Sequence, residues 1–142
     1  MVILKNIYGD NTKFKEVKDT LSMSDTVKVD IYKNDKIYKI PLNYGFEIEN
    51  NNLILYCDFS NERKKLDILK DNPNVSIEIR NTNNLNITSK GRVEFIDNIY
   101  DKIRGLSKIE KHLSEKNSLK NKIINNIILI KITCSNFSQQ YL

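Results

Sequence analysis

From Val27 the chain alternates, with Val27, Val29 and Ile31 on one side and Lys28, Asp30 and Tyr32 on the other. That period of two is the signature of a half-buried strand. Asn34-Asp35 reads as a tight hairpin turn, because Asn tolerates left-handed backbone. The return strand runs from Lys36 to Ile48, interrupted by Pro41 and Gly45. The proline suggests an edge or a bulge, and two such interruptions predict a strand that bends, as barrel strands must. Leu53 to Asp58 gives a third strand and Val75 to Ile79 a fourth. Leu85 to Ile96 gives a fifth, passing through Gly91. Ile127 to Thr133 is apolar on both faces except at Lys131, which predicts a central strand. Asn50-Asn51-Asn52 and Asn81-Thr82-Asn83-Asn84 read as turns.

Helical spacing occurs three times. Phe14, Val17 and Leu21 mark a short helix over Lys13 to Leu21. Ser60 is placed to cap a helix from Asn61 to Lys70, whose apolar face is Leu66 and Leu69 with Ile68 beside them. Asn72-Pro73 stops it. Asp97 or Asn98 can cap a longer helix with Ile99, Ile103, Leu106, Ile109 and Leu113 on one face. Gly105 within it costs about 1 kcal/mol relative to Ala. The strands follow one another as hairpins rather than as βαβ units. The pattern predicts a mainly β (α+β) fold: one domain over residues 1–142, a small closed antiparallel barrel of six strands with helices at its ends.

Net charge +5 and a pI of about 9.1 favour anionic partners. The lysines are spread along the chain, which reads as a solvated surface rather than a nucleic-acid patch. Tyr and Phe do not alternate with Lys or Arg on one strand as base-stacking platforms would. Cys57 and Cys134 form no Cys-x-x-Cys pair, and a single histidine cannot complete a zinc set, so no metal site is expected. Cys57 is expected to behave as a small buried hydrophobe, and His112 to face solvent near a helix end. Met1 to Lys5 is too briefly apolar for a signal peptide, and the longest apolar run, Ile127 to Ile130, is strand-sized. A cytoplasmic protein with reduced thiols and no membrane span is the expectation. Nucleotide-binding glycine loops, nucleophile elbows and zincin motifs are missing, so no catalytic residue is assigned.

One cluster carries a chemical argument. The third strand ends at Phe59-Ser60, and Asn61-Glu62-Arg63-Lys64-Lys65 opens the next helix. Unpaired N–H groups at a helix N-terminus favour an anion. Cations are disfavoured there by the same dipole, so their crowding calls for a counter-anion, with Glu62 neutralising part of the charge. A solvated basic face is the other reading of the same residues.

The order Ile37-Tyr38-Lys39-Ile40-Pro41-Leu42-Asn43-Tyr44-Gly45, an Asn-rich turn, Leu53-Ile54-Leu55-Tyr56, then Lys64-Lys65-Leu66 through Asn72-Pro73-Asn74-Val75 resembles the pyridoxamine-phosphate oxidase-like flavin-binding split barrels. It is most similar to their nitroimidazole-resistance branch, and the resemblance spans about Lys13 to Asp97. It implies a homodimer with FMN at the subunit interface, acting as an FMN-dependent oxidoreductase. It implies phosphate near Lys65, with Lys64 and Ser60, and Arg63 beside them. The isoalloxazine ring would lie along Leu42, Asn43 and Tyr44, bonded by backbone groups. Tyr56, Cys57, Asp58 and Phe59 would face the flavin or the substrate space. The branch's strand-end histidine falls at Asp58 or Phe59, and its glycine before the lysine pair falls at Arg63. A barrel holding another ligand, such as haem, is the alternative that these departures suggest.

Overall fold

The computed structural model describes residues 11–81, 85–113, 126–135 and 138–141. The N-terminal pentapeptide and turn residues Thr82 to Asn84 lie outside these, as do the side chains of Phe14 and Leu113.

Helix α1 (Asn11–Ser22) leads into β1 (Thr26–Lys33), β2 (Lys36–Glu49) and β3 (Asn52–Asp58). A 3-10 segment (Ser60–Lys65) and a one-turn-and-a-half helix α2 (Leu66–Asp71) follow. Then come β4 (Asn74–Arg80), β5 (Leu85–Ile96), α3 (Ile99–Leu113), β6 (Leu129–Cys134) and β7 (Ser138–Tyr141). All strand pairs are antiparallel, in the order β4-β1-β2-β3-β6-β5, and β4 closes the ring by pairing with β5. The expected six-stranded barrel is therefore the observed one.

The seventh strand was not foreseen. It lies along the same edge of β5 as β6, with Arg92 opposite Thr133 and Thr88 opposite Ser138. The pairing offset differs by one residue between these pairs. A four-residue element with two glutamines shows too little periodicity to be read in advance.

The turns form where asparagine allows them. Asn34, Asn50 and Asn51 have positive φ of 54°, 51° and 66°. Asn50 and Asn51 are the two central residues between the pair Glu49 and Asn52, the arrangement of a type I′ hairpin.

Alternation sorts the strands into an inner and an outer face. Val27, Val29, Ile31, Ile40, Leu42, Tyr44, Leu53, Leu55, Cys57, Ile77, Ile79 and Ile132 fill the barrel, with Leu69 of α2 closing one end. A second, smaller cluster forms outside, where Ile54 and Tyr56 of β3 and Leu129 of β6 meet Leu106 and Ile109 of α3. Asn98 caps α3, its Oδ1 accepting from the N–H groups of Tyr100 (2.8 Å) and Asp101 (3.2 Å). Only the C-terminal part of the expected apolar stripe is covered: Ile99 and Ile103 are 45% and 42% exposed.

Gly45 sits against α3. β2 runs unbroken through it, and an added Cβ would strike the α3 backbone at Lys108 and Ile109. Gly105 faces Tyr56 and Leu129 from the other side. The two glycines let the helix lie directly on the sheet.

Candidate functional site

β2 changes partner midway. Its first half pairs with β1 as far as Asn43 opposite Thr26, and its second half pairs with β3 from Tyr44 opposite Cys57. Among the described residues, no strand pairs with the other edge of Lys36–Asn43. Backbone N–H and C=O groups there are available as alternating donors and acceptors. Pro41, which has no N–H, interrupts nothing in a stretch with one partner strand. This gap is the split in the barrel. It opens where β3 ends and the chain turns into the basic 3-10 segment.

That turn is clamped to the lead-in of β6. The Phe59 N–H donates to Ile128 O at 2.7 Å, and the Ile128 N–H donates to Ser60 Oγ at 2.9 Å. Asp58 Oδ1 accepts from the Ser60 N–H at 2.9 Å. The Asp58 carboxylate is thus engaged in the turn.

The basic run departs from expectation. Ser60 does not cap a helix; its hydroxyl is held by Ile128, and no side-chain cap is present at the preceding Phe59. The continuous helix expected over Asn61–Lys70 is a 3-10 segment and a short α-helix, with Glu62 non-helical at φ −117°, ψ 31°. A six-residue 3-10 turn sums few aligned dipoles, so the macrodipole argument for an anion weakens. What remains is side-chain charge. Lys65 pairs with Glu62 at 3.2 Å, so the acid does neutralise part of it. Lys64 is exposed. Arg63 donates to Asn126 O at 2.5 Å and points into a different groove.

The expected ligand residues fall into two sets. Asn43, Arg63 and Lys64 are exposed, and Asp58, Ser60 and Lys65 are half-buried. Leu42, Tyr44, Tyr56, Cys57 and Phe59 are buried. Of these, Leu42, Tyr44, Cys57 and Phe59 belong to the barrel core, and Tyr56 lies under α3. Tyr56 and Cys57 are also paired on both edges, to β2 and to β6.

The buried groups have partners of their own. The Tyr44 hydroxyl donates to Leu21 O at 2.6 Å and lies 2.9 Å from Ser24 O, tying α1 and the turn after it to β2. Burial pushes its ionisation far above the ordinary range. His112 is not solvent-facing: its ring stacks on Tyr44 at 4.4 Å, meets Phe46 edge-on at 5.6 Å, and its Nε2–H reaches Ser24 O at 2.5 Å. Tyr44 and Phe46 draw it in, contacts across 66 to 68 residues that helical spacing does not reveal. Cys57 is fully buried, as expected, and burial raises its thiol; Cys134 is pushed up to about 12 by the same cause.

Glu47 is a residue the sequence did not single out. It accepts from the Tyr56 hydroxyl at 2.8 Å and from Arg104 at 3.0 Å. Burial pushes its carboxyl up, but the bonds from Tyr56 and Arg104 and the charges of Arg104 and Lys108 outweigh it and hold the carboxyl below the ordinary value. A depressed folded-state value stabilises the fold above the unfolded value and loses that stabilisation as pH falls through the folded one. Glu47→Gln should flatten the acid limb of a urea-midpoint profile between about pH 5 and 3. An acid limb of unchanged slope would refute this role.

No helix among the described residues is long and apolar enough to cross a membrane, and none of them groups as metal-ligating residues do. No protein-family model matches the sequence, and no curated protein matches it. Solved structures do match. A candidate 5-nitroimidazole antibiotic resistance protein from Bacteroides thetaiotaomicron superposes with TM-score 0.70 at 20% identity, covering 97% of this chain and 85% of that one. The fold is the split barrel of the pyridoxamine-phosphate oxidase-like proteins, nitroimidazole-resistance branch included. An FAD-binding protein from Mesorhizobium loti superposes at 0.61, with 18% identity over 88% of this chain and 91% of that one. The haem storage protein HutZ from Vibrio cholerae superposes at 0.64, with 9% identity over 89% and 92%. At these identities the fold is shared, and the split-barrel proteins holding it differ in ligand.

Proposed function

We propose that this split-barrel protein binds FMN at the gap beside β2 and serves as a flavin-dependent oxidoreductase, assembled as a cytoplasmic homodimer. The observation that carries the reading is the unpaired edge of Lys36–Asn43, which begins where Tyr44 pairs with Cys57 and β3 runs out just before Ser60. A flavin has a polar edge that suits backbone donors and acceptors, and a phosphate that suits lysines. The residues present fit it: Lys64 and Lys65 follow the end of β3, and of the two acids beside them in sequence Asp58 is bonded to Ser60 and Glu62 to Lys65. The flavin-binding proteins among the structural matches support the same reading. The flavin would supply the redox chemistry, and the chain its position and electrostatics.

Titrating the purified protein with FMN, followed by quenching of flavin fluorescence, tests the proposal. Saturable binding is expected, weakened about tenfold by Lys65→Ala and less by Lys64→Ala. Absence of saturable binding, or an unchanged affinity in Lys65→Ala, would sink it.

The haem protein of the same fold motivates the second reading, a non-enzymatic haem-binding module. His112 is the only histidine in the chain, and its Nε2 is already bonded to Ser24 O. An absorption spectrum after adding haem separates the readings, since only an axial ligand shifts and sharpens the Soret band.

A further inference from the structure

Arg63 leaves the basic run and enters a groove of about 480 Å³ between the 3-10 segment, α2, the end of β5 and the start of α3. Lys64 and Lys65 do not line it; Lys70 from α2 and Lys102 from α3 do. Three elements therefore bring one cation each to the same space. The floor is apolar: Leu66, Phe95 and Ile127. Phe95 lies beneath the Lys70 ammonium, 5.9 Å from ring centroid to nitrogen. Asp97 is the one acid in the lining. Lys102 is half-buried and forms no ion pair with a described residue. Arg63 is oriented by Asn126 O, which leaves further N–H groups of its guanidinium to donate.

We infer that this groove is a binding site for a small organic anion with an aromatic or aliphatic body, separate from the split beside β2. The apolar floor takes the body, and Arg63, Lys70 and Lys102 take the carboxylate, sulfonate or phosphate. Its volume lies within the range of small-molecule sites, roughly 300–1,000 Å³. The inference does not depend on flavin binding, because Lys64 and Lys65 play no part in it.

The probe is 1-anilinonaphthalene-8-sulfonate, titrated by fluorescence against the native full-length protein. Its uncharged relative N-phenyl-1-naphthylamine is the control for the apolar body alone. A single saturable site is expected for the sulfonate. Lys70→Glu/Lys102→Glu should weaken it at least about tenfold while leaving the melting temperature and the neutral probe unchanged. Arg63→Gln should weaken it less. An unchanged sulfonate affinity in the double variant would overturn the inference, as would equal loss of both probes. So would loss on Lys18→Glu/Lys111→Glu, which line a second basic groove between α1 and α3.

Discussion

Gly45→Ala will lower the melting temperature by roughly 10 °C, corresponding to about 3 kcal/mol in a chain of this size. The position has an ordinary strand conformation, so backbone strain contributes nothing. The effect is steric: the new Cβ would sit inside contact distance of the Lys108 carbonyl carbon and the Ile109 nitrogen. Those are backbone atoms of a helix anchored by buried Leu106 and Ile109, so relief requires moving α3 as a body. Gly91→Ala is the internal comparison. There the nearest atoms are the Ile132 Cγ2 at 2.6 Å and the Cys134 Sγ at 3.1 Å, side-chain atoms that can give way. Thermal unfolding of both variants should place Gly45→Ala well below Gly91→Ala. Equal melting temperatures would show that α3 is not seated on β2 as described.

Phe59→Ala should destabilise the protein by about 3–5 kcal/mol, the range for removing a large buried ring. Phe59 is fully buried among the core residues, although its place after β3 suggests a residue facing a ligand. The ring anchors the turn whose backbone bonds hold Ile128 and Glu62. The urea midpoint is the measurement, and a midpoint unchanged within error would contradict this placement. Lys65→Ala gives the converse: its half-buried ion pair with Glu62 is a single contact at the surface and contributes little stability, so FMN affinity should fall while the midpoint stays. The two variants together separate the residues that build the split from those that face into it.

Much of the barrel was legible because a period of two is a local property. Val27, Val29 and Ile31 face inward because successive side chains of any strand point to opposite faces. Asn34, Asn50 and Asn51 announced their turns through a tolerance for positive φ that belongs to asparagine itself. Helix α3 was legible from its cap and spacing. Its burial was not: Leu106 and Ile109 are covered because β2 and β3 lie beneath them, while Ile99 and Ile103 with the same spacing overhang the sheet. The candidate site was legible in outline only. Resemblance located β2 and the basic run, yet the run is a kinked 3-10 turn whose cations part company: Arg63 to Asn126, Lys65 to Glu62 and Lys64 to solvent. Those partners are set by where Ile128 clamps Ser60, a contact across 68 residues.

The sequence by itself determined which residues form the six barrel strands, which face of each is apolar and where the chain turns between them. Each of these follows from near neighbours and the chemistry of single residues. Only the tertiary structure decided that β2 changes partner at Asn43 and Tyr44, leaving an open edge. Only it decided that His112 packs on Tyr44 and that Gly45 exists for the approach of α3. Those facts belong to pairs of segments far apart in sequence, and no periodicity along one segment encodes what a distant one brings against it.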